Sequence, residues 1–495
     1  MSSTEERSGT WWVRMRNRKA PWLADARLAF SRGAAMGVLL VAGTVLAQTD
    51  ALQLNVPEAN AEQKEPSSCF CNSDEPLKRP VPDYDGRGPP PTTVGDALIW
   101  VPRVLLFPAY LVAQYGLRAP IGAADTYAEE NHWPSSIYDF FAFGPDHQFG
   151  IFPTFFFDFN VRPSFGLHFF WNRAFSVRNQ LTADVAYGGT DWAKVAVGDR
   201  FAFSKSESLA LQVQWNRRPD SLYYGVGSDV TNAFISRVGT DIISGNITYD
   251  KGVAKVIDLE TVAAIKRTVF RDYTCCGDPS LQQRVEAGQL PPPPGYQVNT
   301  TALELGFKAV VDTRLSHPES HSGVRAALGL GLAGDVVPGF DTSWARYGAS
   351  IEGNFDLTGK SRVLSIGLTA LFVDPLGSQP VAFTELVTLG GAEPFAGFYP
   401  GFLRDRSALV ASVGWHWPVF AYIDGVAAVS FGNVFDAHLD NFRFDLLRMS
   451  AELGVRSTGF LPGSFEAVIG LGTNTFRDGF GVASVRIAFG VVYGL

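Results

Sequence analysis

Few residues in this sequence have the types and the spacing that catalysis or metal binding would need. No Gly-x-Ser-x-Gly turn, which would present a nucleophilic serine for acyl transfer, occurs in the 495 residues. His317 and His321 have a spacing that suits a metal pair, but Pro318 disfavours the helix on which such a pair would lie. His416 falls on the polar side of an alternating segment, where a hydrogen-bonded structural histidine is the simpler interpretation. We therefore predict a protein that is not an enzyme and that holds neither a metal ion nor a cofactor.

The composition disfavours two broad classes of protein. Charged residues make up only 18% of the chain and aromatic residues 13%, so the chain is poor in charge for a cytosolic enzyme. The mean hydropathy of +0.05 is far too low for a bundle of membrane-spanning helices. The formal charge of -8 argues against nucleic acid as a partner. What remains is a large β-structure with two differently solvated faces.

The first 47 residues have the features of a secretory signal peptide. They carry seven basic residues against three acidic ones, followed by an apolar stretch at residues 34–46 that ends in small residues. This stretch is too short to span a bilayer, which disfavours the alternative of a membrane anchor. We predict cleavage after Ala47, with a weaker alternative at Ala61. The exported chain would carry 34 basic and 46 acidic residues, a net charge of -12.

Two further segments precede the main pattern. Residues 48–93 are polar, rich in proline and without periodicity, which predicts a disordered periplasmic linker. Residues 94–147 begin with an apolar stretch, 94–117, which Pro102 and Pro108 interrupt and which predicts a short helix. This helix either lies on a membrane surface, fills a barrel mouth or packs as an ordinary core helix, and the sequence leaves these alternatives open.

From residue 148 to the C-terminus, apolar and polar residues alternate. In residues 301–311 the odd positions are mostly apolar, whereas the even positions include Glu304 and Lys308. The same alternation recurs in residues 345–357, 447–456 and 484–495. A period of two is typical of strands that have one apolar and one polar face.

The alternating region, residues 148–495, divides into about sixteen segments, each of roughly the ten residues that a tilted strand needs to cross a membrane. An even number of strands returns both ends to the periplasm, so alternate links should be short there and long outside. The predicted short links are 205–207, 250–252, 358–360 and 460–462, and the long ones are 271–298 and 377–406. We therefore predict an all-β protein: a transmembrane antiparallel β-barrel of about sixteen strands with a short N-terminal helix. Its location would be the cell outer membrane, with outer-membrane lipid around it.

Many positions on the polar face carry charged residues. In a barrel of this size such residues point into an aqueous lumen, or they pair with each other across strands. Their presence indicates a solvated interior and does not identify what passes through it.

The four cysteines form two pairs that the barrel places on opposite sides of the membrane. Cys69 and Cys71 lie in the linker, and Cys275 and Cys276 lie in a long extracellular link. A disulfide between the pairs would have to cross the membrane, whereas bonding within a pair is open in an oxidising compartment. Neither pair has the spacing of a zinc site.

The barrel segment resembles the bacterial surface antigen or BamA/TamA superfamily of outer-membrane assembly and translocation factors. The matching pieces, in order, are residues 223–229 (YYGVGSD), 311–314 (VDTR) with Pro318 and Gly323, 389–391 (LGG), 397–398, 404–406 and 431–436 (FGNVFD). No single piece is specific, but their order and spacing carry the resemblance. The resemblance implies a non-enzymatic role in the insertion or translocation of proteins or lipids. It also implies unfolded outer-membrane proteins or lipids as clients.

In this family the sixth extracellular loop folds into the lumen, and the Arg of its VRGF motif is held by carboxylates on the following strands. A guanidinium and a carboxylate form a strong two-pronged pair. The motif here reads Phe395-Ala396-Gly397-Phe398, so Ala396 stands in place of the Arg. The cation that pins the loop in the family is therefore missing at this position.

The acidic partners of that cation are missing as well. Gly414 and Ser430 stand where the family usually has acidic residues, and losing both sides together avoids leaving a buried charge unpaired. We expect the loop still to enter the barrel, held by apolar contacts and by charged residues that follow the motif; the alternative is a loop without a functional role. The candidate residues are Phe395, Ala396, Gly397, Phe398, Tyr399, Phe402, Arg404, Asp405 and Arg406 in the loop, and Gly414, His416 and Ser430 on the strands facing it.

A second departure concerns delivery of a client. Family members that insert or secrete proteins carry periplasmic POTRA modules, and residues 48–149 leave no convincing room for one. The sequence therefore disfavours delivery by that route, and the linker and the helix would have to replace it.

Two other functions stay open at this point. One is a passive diffusion pore, and the other is a surface lipid hydrolase, which the missing nucleophile turn disfavours. The family's activity is attributed to a weak seam between the first and last strands. Gly490 and Gly494 in the last strand would pair less firmly than bulky residues and give slight support to that activity.

Overall fold

The computed structural model describes residues 139–492, apart from residues 315–321, 338, 340, 360, 421–422 and 458–463. The predicted leader, linker and 94–117 helix lie outside the described residues, as do Cys69, Cys71 and the pair His317 and His321. The described chain is helical at residues 139–141 and then consists mainly of β-strands. Within these ranges, no helix has the length and apolar character that crossing a membrane requires.

Sixteen of the nineteen strands in the described residues form a closed antiparallel barrel, in which the last strand pairs with the first. The barrel strands are β2 (Phe149–Asp158), β3 (Ser164–Asn172), β4 (Asn179–Tyr187), β5 (Ala193–Ser204), β6 (Glu207–Tyr223), β7 (Ser236–Ala254), β8 (Ile257–Arg271), β9 (Thr300–Asp312), β10 (Gly323–Asp335), β11 (Ser343–Asp356), β12 (Val363–Pro375), β15 (Ser407–Phe420), β16 (Ile423–Phe435), β17 (Arg448–Ser457), β18 (Ser464–Thr473) and β19 (Val482–Val492). The other three are β1 (Ala142–Phe143), β13 (Val387–Leu389) and β14 (Leu403–Asp405). The prediction of an all-β barrel of about sixteen strands is confirmed.

The alternation of the sequence places one apolar face outside the barrel. In β9 and β10, Leu305 lies opposite Leu332 and Phe307 lies opposite Leu330, and all four side chains are exposed on the outer wall. Their neighbours Glu304 and Lys308 point inward and are largely covered. Such a closed barrel leaves no open sheet edge, and its apolar exterior suits a bilayer.

The links alternate in length around the barrel. On one side, residues 205–206 and 255–256 connect strands directly, whereas residues 272–299 and 376–406 form long links on the other side. The prediction of a link at residues 250–252 is wrong, because β7 continues through them. Gly252 stays in the ladder opposite Asp258, and its N–H donates to the carbonyl of Ser206 at 2.7 Å.

The long links fold into the lumen and fill its outer half with an apolar core. Tyr224 of the third link, Leu281 of helix α1 (Leu281–Glu286) and Phe383 and Phe402 of the sixth link all belong to this core and are almost fully buried. The interior is thus packed at the outer end, and many of the wall charges pair with each other. In the fourth link, Cys275 is bonded to Cys276.

The first and last barrel strands share the shortest ladder between neighbouring barrel strands in the described residues. β19 and β2 pair only at Ala488 with Asp158, Phe489 with Phe157, Gly490 with Phe156 and Val491 with Phe155. By contrast, β6 and β7 pair from Glu207 to Tyr223. We call this short junction the seam. On the same strand β2, the short strand β1 pairs with Phe149 and Gly150.

Candidate functional site

The sixth loop, residues 376–406, enters the barrel between β12 and β15. It contains the 3-10 helix Phe383–Glu385 and the hairpin of β13 and β14. Phe395, Phe398 and Phe402 are fully buried. From residue 381 onward every residue of the loop is buried or half-buried, so this part of the loop belongs to the core inside the barrel.

The aromatic residues of the motif stack on one another. The rings of Phe395 and Phe398 are nearly parallel with centroids 5.0 Å apart, and Phe402 lies 5.0 Å beyond Phe398. Tyr224 of the third link contacts Phe402 with centroids 4.5 Å apart. Stacked aromatic pairs of this kind add about 0.5–1.5 kcal/mol each beyond the burial of their area. This stack joins the sixth loop to the third link.

The tip of the loop, residues 393–399, is hydrogen-bonded to two of the C-terminal barrel strands, β17 and β19. The Gly397 N–H donates to Ser450 Oγ on β17 at 2.8 Å, and the hydroxyl of Ser484 on β19 donates to the Gly397 carbonyl at 2.6 Å. The guanidinium of Arg486 on β19 donates to the Ala396 carbonyl at 3.2 Å. Ala396 stands where the family has an Arg, and its backbone carbonyl accepts a hydrogen bond from Arg486, a cation of the barrel wall.

A buried carboxylate fixes the first half of the loop. Glu385 accepts from Lys266 Nζ on β8 at 3.0 and 2.9 Å, and it also accepts from Arg346 on β11. Lys266 lies 3.1 Å from Glu304 as well. Burial by itself raises the pKa of Glu385, but the two cations outweigh it and lower that pKa to about 2. Glu385 is therefore ionised and paired at neutral pH.

A second loop carboxylate is held at the tip. Glu393 pairs with Arg456 of β17, which also lies 3.4 Å from Glu452 and 3.7 Å from Glu466. Together with Glu385, this contact places anions on the loop and cations on the wall. At these two anchors the polarity is the reverse of the family arrangement, in which a loop cation meets wall acids.

The three charged residues after the motif lie at the outer mouth. Arg404 donates to the Phe383 carbonyl at 3.0 Å, and its guanidinium lies 5.4 Å from the ring centre of the same residue. Arg406 donates to Asp374 at 2.8 Å. Asp405 lies in β14 opposite Val387 and accepts from the Arg406 N–H at 2.8 Å. These residues position the loop within its own hairpin and against the end of β12.

The sequence predicted that Gly414, His416 and Ser430 face the loop. In the structure these residues lie on β15 and β16, whereas the described contacts of the loop tip are with β17 and β19. Gly414 and His416 are on β15, where His416 is buried opposite Val363 and Val426. Ser430 on β16 is buried directly opposite Ser450, which accepts from the tip. The described hydrogen bonds of the tip go to β17 and β19.

Sequence reasoning missed Lys266, Arg346, Arg456 and Arg486 as loop anchors. Each occupies an inward position of its strand, and such positions carry many charges around the whole barrel, so alternation alone does not single them out. The available signal was the pair of carboxylates, Glu385 and Glu393, which are the charged residues of the loop before Arg404. Buried carboxylates require cationic partners, which could have prompted a search for them.

A cavity of about 480 Å³ opens at the outer mouth, and Asp405, Arg406 and Asp436 line it together with Val381 and Phe435. Burial raises the pKa of Asp405 to about 6; the nearby Asp436 adds to this effect, and contacts with Arg406 oppose it. In the described residues, no group of three or more His, Cys, Asp or Glu side chains is arranged to hold a metal ion.

The substitution Asp405→Asn should remove a pH dependence of the folded barrel. Because the pKa of Asp405 is higher in the folded state than the usual 3.8, folding favours the protonated form. Its contribution to stability should therefore fall as the pH rises from about 4 to about 6, and then stay level. Urea midpoints measured from pH 4 to pH 7 should show a smaller decline for D405N than for the unaltered protein. Asp440→Asn, which changes an exposed residue of the neighbouring link, should behave like the unaltered protein; equal curves for D405N would contradict the prediction.

Comparison with known proteins supports the fold. The chain is similar to a crystal structure of BamA from Haemophilus ducreyi lacking POTRA domains 1-3, with a TM-score of 0.50 and 13% identity over 69% of this chain and 70% of that one. It is also similar to CdiB from Acinetobacter baumannii (TM-score 0.43, 9% identity, 70% and 59% covered) and to CdiB from Escherichia coli (TM-score 0.43, 11% identity, 69% and 62% covered). No protein-family model matches the sequence, and no curated protein matches it. At 13% identity, the likeness to BamA establishes a shared barrel fold.

Proposed function

We propose that this protein is an outer-membrane barrel of the BamA/TamA type that inserts or translocates proteins or lipids by a non-enzymatic route. The observation that carries the proposal is the seam, where, in the part of the chain that the structure describes, four positions of β19 pair with β2. If the seam separates, two strand edges face the bilayer. An exposed edge is a template on which another β-strand can pair.

The composition of the seam supports its separation. Gly490 contributes no side chain to the ladder, and Pro153, in the part of β2 beyond the four pairs, has no N–H to donate to a neighbouring strand. On the outer surface the seam is covered by aromatic rings, with Phe155 and Phe489 5.2 Å apart. These rings would meet lipid when the strands part.

The filled lumen disfavours the passive diffusion pore. Fully buried side chains such as Phe383, Phe395 and Phe402 occupy the outer half of the barrel, where a pore would need water. A route that leads sideways through the wall does not require this core to leave.

The remaining parts of the proposal concern the segments before the barrel and the client. We assign residues 1–47 to a cleaved leader that exports the chain, and residues 48–147 to a linker and a short helical segment that take the place of POTRA modules. The clients would be unfolded outer-membrane proteins or lipids. The sixth-loop residues 395–398 would control the interior beside the seam, and residues 404–406 would hold the loop at the outer mouth.

The proposal can be tested by locking the seam. Phe157 and Phe489 lie opposite each other on the outer wall, so the double variant Phe157→Cys/Phe489→Cys should crosslink the seam on oxidation. Leu330→Cys/Tyr347→Cys, at opposed positions of β10 and β11, is the matched control. The folded protein in liposomes should accelerate the folding of an added outer-membrane protein. The seam crosslink should abolish this acceleration until it is reduced, and the control crosslink should not.

Two results would argue against the proposal. A large and steady conductance in planar bilayers without any acceleration of folding would indicate a pore. Full activity of the crosslinked seam would show that clients do not pass there.

A further inference from the structure

One buried arginine joins three parts of the molecule. Arg486 on β19 reaches across the seam to Asp158 on β2, with Nε 2.9 Å from Oδ1 and Nη2 2.9 Å from Oδ2. Its remaining terminal nitrogen, Nη1, donates to the Ala396 carbonyl in the loop tip at 3.2 Å. Asp158 and Arg486 are 1% and 2% exposed, so water does not screen the pair.

The planar guanidinium suits this double role. One edge forms a two-pronged bond with a carboxylate, while a further N–H on the other side remains available for a carbonyl. The three elements are therefore held by one rigid group. If β19 moved away from β2, Asp158 would lose its partner while buried, which is strongly unfavourable.

The tip is bonded mainly to the strand that would move. Ser484 donates to the Gly397 carbonyl, the hydroxyl of Tyr399 donates to the Val485 carbonyl at 2.8 Å, and Arg486 donates to the Ala396 carbonyl. The three strand residues are consecutive in β19. The described side-chain contacts of the tip with another strand are those of Gly397 with Ser450 and of Glu393 with Arg456, both on β17. Displacement of β19 would thus strain three of the tip's described hydrogen bonds to the wall at once.

We propose that Arg486 is a latch that couples the seam to the sixth-loop tip, so that β19 separates from β2 only as the tip is released. This inference rests on the proposed function and names how its seam is regulated. Among the described residues, four positions of the ladder and the Arg486–Asp158 pair join β19 to β2, so the buried pair is a large part of the described junction. A client strand or a force on the tip would open the seam by displacing Arg486.

The test measures water access at the seam and at the tip separately. Ala488 lies opposite Asp158 and is fully buried, and Ala396 is 2% exposed, so Ala488→Cys and Ala396→Cys should each react slowly with a water-soluble maleimide. The reporters are introduced singly into the full chain, folded in liposomes, with the four native cysteines replaced by serine. No client is present, so the result does not depend on whether the protein inserts clients.

Arg486→Met should raise the labelling rate at both reporters by about tenfold or more, because it leaves a buried carboxylate unpaired and removes the contact with the tip. Arg217→Met is a control for the loss of an arginine elsewhere in the wall: Arg217 forms a two-pronged pair with Asp241 between β6 and β7, and its loss should change neither reporter. If Arg486→Met prevents folding, Arg486→Lys keeps the charge but not the fork, and should raise both rates to a smaller extent.

A charge swap separates the two contacts of the latch. In Asp158→Arg/Arg486→Asp the pair across the seam is re-formed, but a carboxylate cannot donate to the Ala396 carbonyl. The seam reporter should return towards its original rate while the tip reporter stays fast. The latch is refuted if the arginine variants expose only one reporter or neither, or if the swap protects both. If the latch pattern is observed but the protein accelerates no client folding, the proposed function fails and the coupling stands.

Discussion

Glu385→Gln is expected to lower the free energy of unfolding of the barrel by about 3 kcal/mol or more. Glu385 is 4% exposed and accepts from both Lys266 and Arg346. The amide has the same shape but no charge, so both cations would lose the carboxylate of Glu385, while Lys266 would keep Glu304. Breaking a buried ion pair from one side is costly for this reason. The change should appear as a lower urea midpoint and as loss of the compact form at a lower temperature on gels.

The same residue predicts the acid sensitivity of the loop. The pKa of Glu385 lies near 2 in the folded protein, below its usual 4.5, so its contribution to stability is fully present above pH 4.5 and is lost as the pH falls through about 2. The difference in stability between E385Q and the unaltered protein should therefore shrink across this window. Glu286→Gln, on the exposed side of α1, is the matched control and should leave the midpoint unchanged. An E385Q midpoint equal to that of E286Q would show that the loop does not depend on this anchor.

Gly397→Ala is expected to expel the tip of the sixth loop from the barrel. A Cβ atom at Gly397 would lie 2.2 Å from the carbonyl oxygen of Leu471 and 2.8 Å from Ser450 Oγ. The first of these is backbone in a barrel strand and cannot move aside, so the tip must move and lose its bonds to Ser450 and Ser484. Overpacking of this kind costs about 1–3 kcal/mol before those bonds are counted. Chymotrypsin should then cut after Phe395 or Phe398, which are fully buried in the unaltered protein.

A glycine with room around it provides the control. At Gly331 in β10 the nearest atoms to an added Cβ are 3.9 Å away, so Gly331→Ala should leave the loop protected. Mass spectrometry of the first cleavage products distinguishes the two variants. If G397A resists cleavage after Phe395 and Phe398, the tip can accommodate the added Cβ atom without leaving the barrel, and the prediction is wrong.

The fold followed from the sequence because its main determinant is local. Alternation along each strand, as in residues 301–311, predicts which side chains face lipid and which face the interior. The lengths of the links predict which of them lie on each side of the membrane. The error at residues 250–252 has the same origin: Asp250, Lys251 and Gly252 form a good turn by composition, but pairing with β8 continues past them. The pairing of β7 with β8 therefore decides where this hairpin turns, and the turn-forming residues 250–252 do not.

The candidate site was predictable only in part, because its contacts join residues far apart in the sequence. The motif residues 395–398 marked the loop that enters the barrel. Nothing local shows that Lys266 and Arg346 meet Glu385, since the closing geometry of sixteen strands decides which inward residues face the loop. The reversal of charge between loop and wall illustrates this limit, because either polarity satisfies the same requirement that buried charges be paired.

The short junction between β19 and β2 also bears on the order in which the molecule assembles. Its residues Asp158 and Arg486 are 328 positions apart, whereas hairpins such as β7 and β8 close over two residues. Contacts between distant residues require a large loss of chain entropy and form late, and this one has few paired positions to offset that loss. Hairpins therefore form first and ring closure comes last.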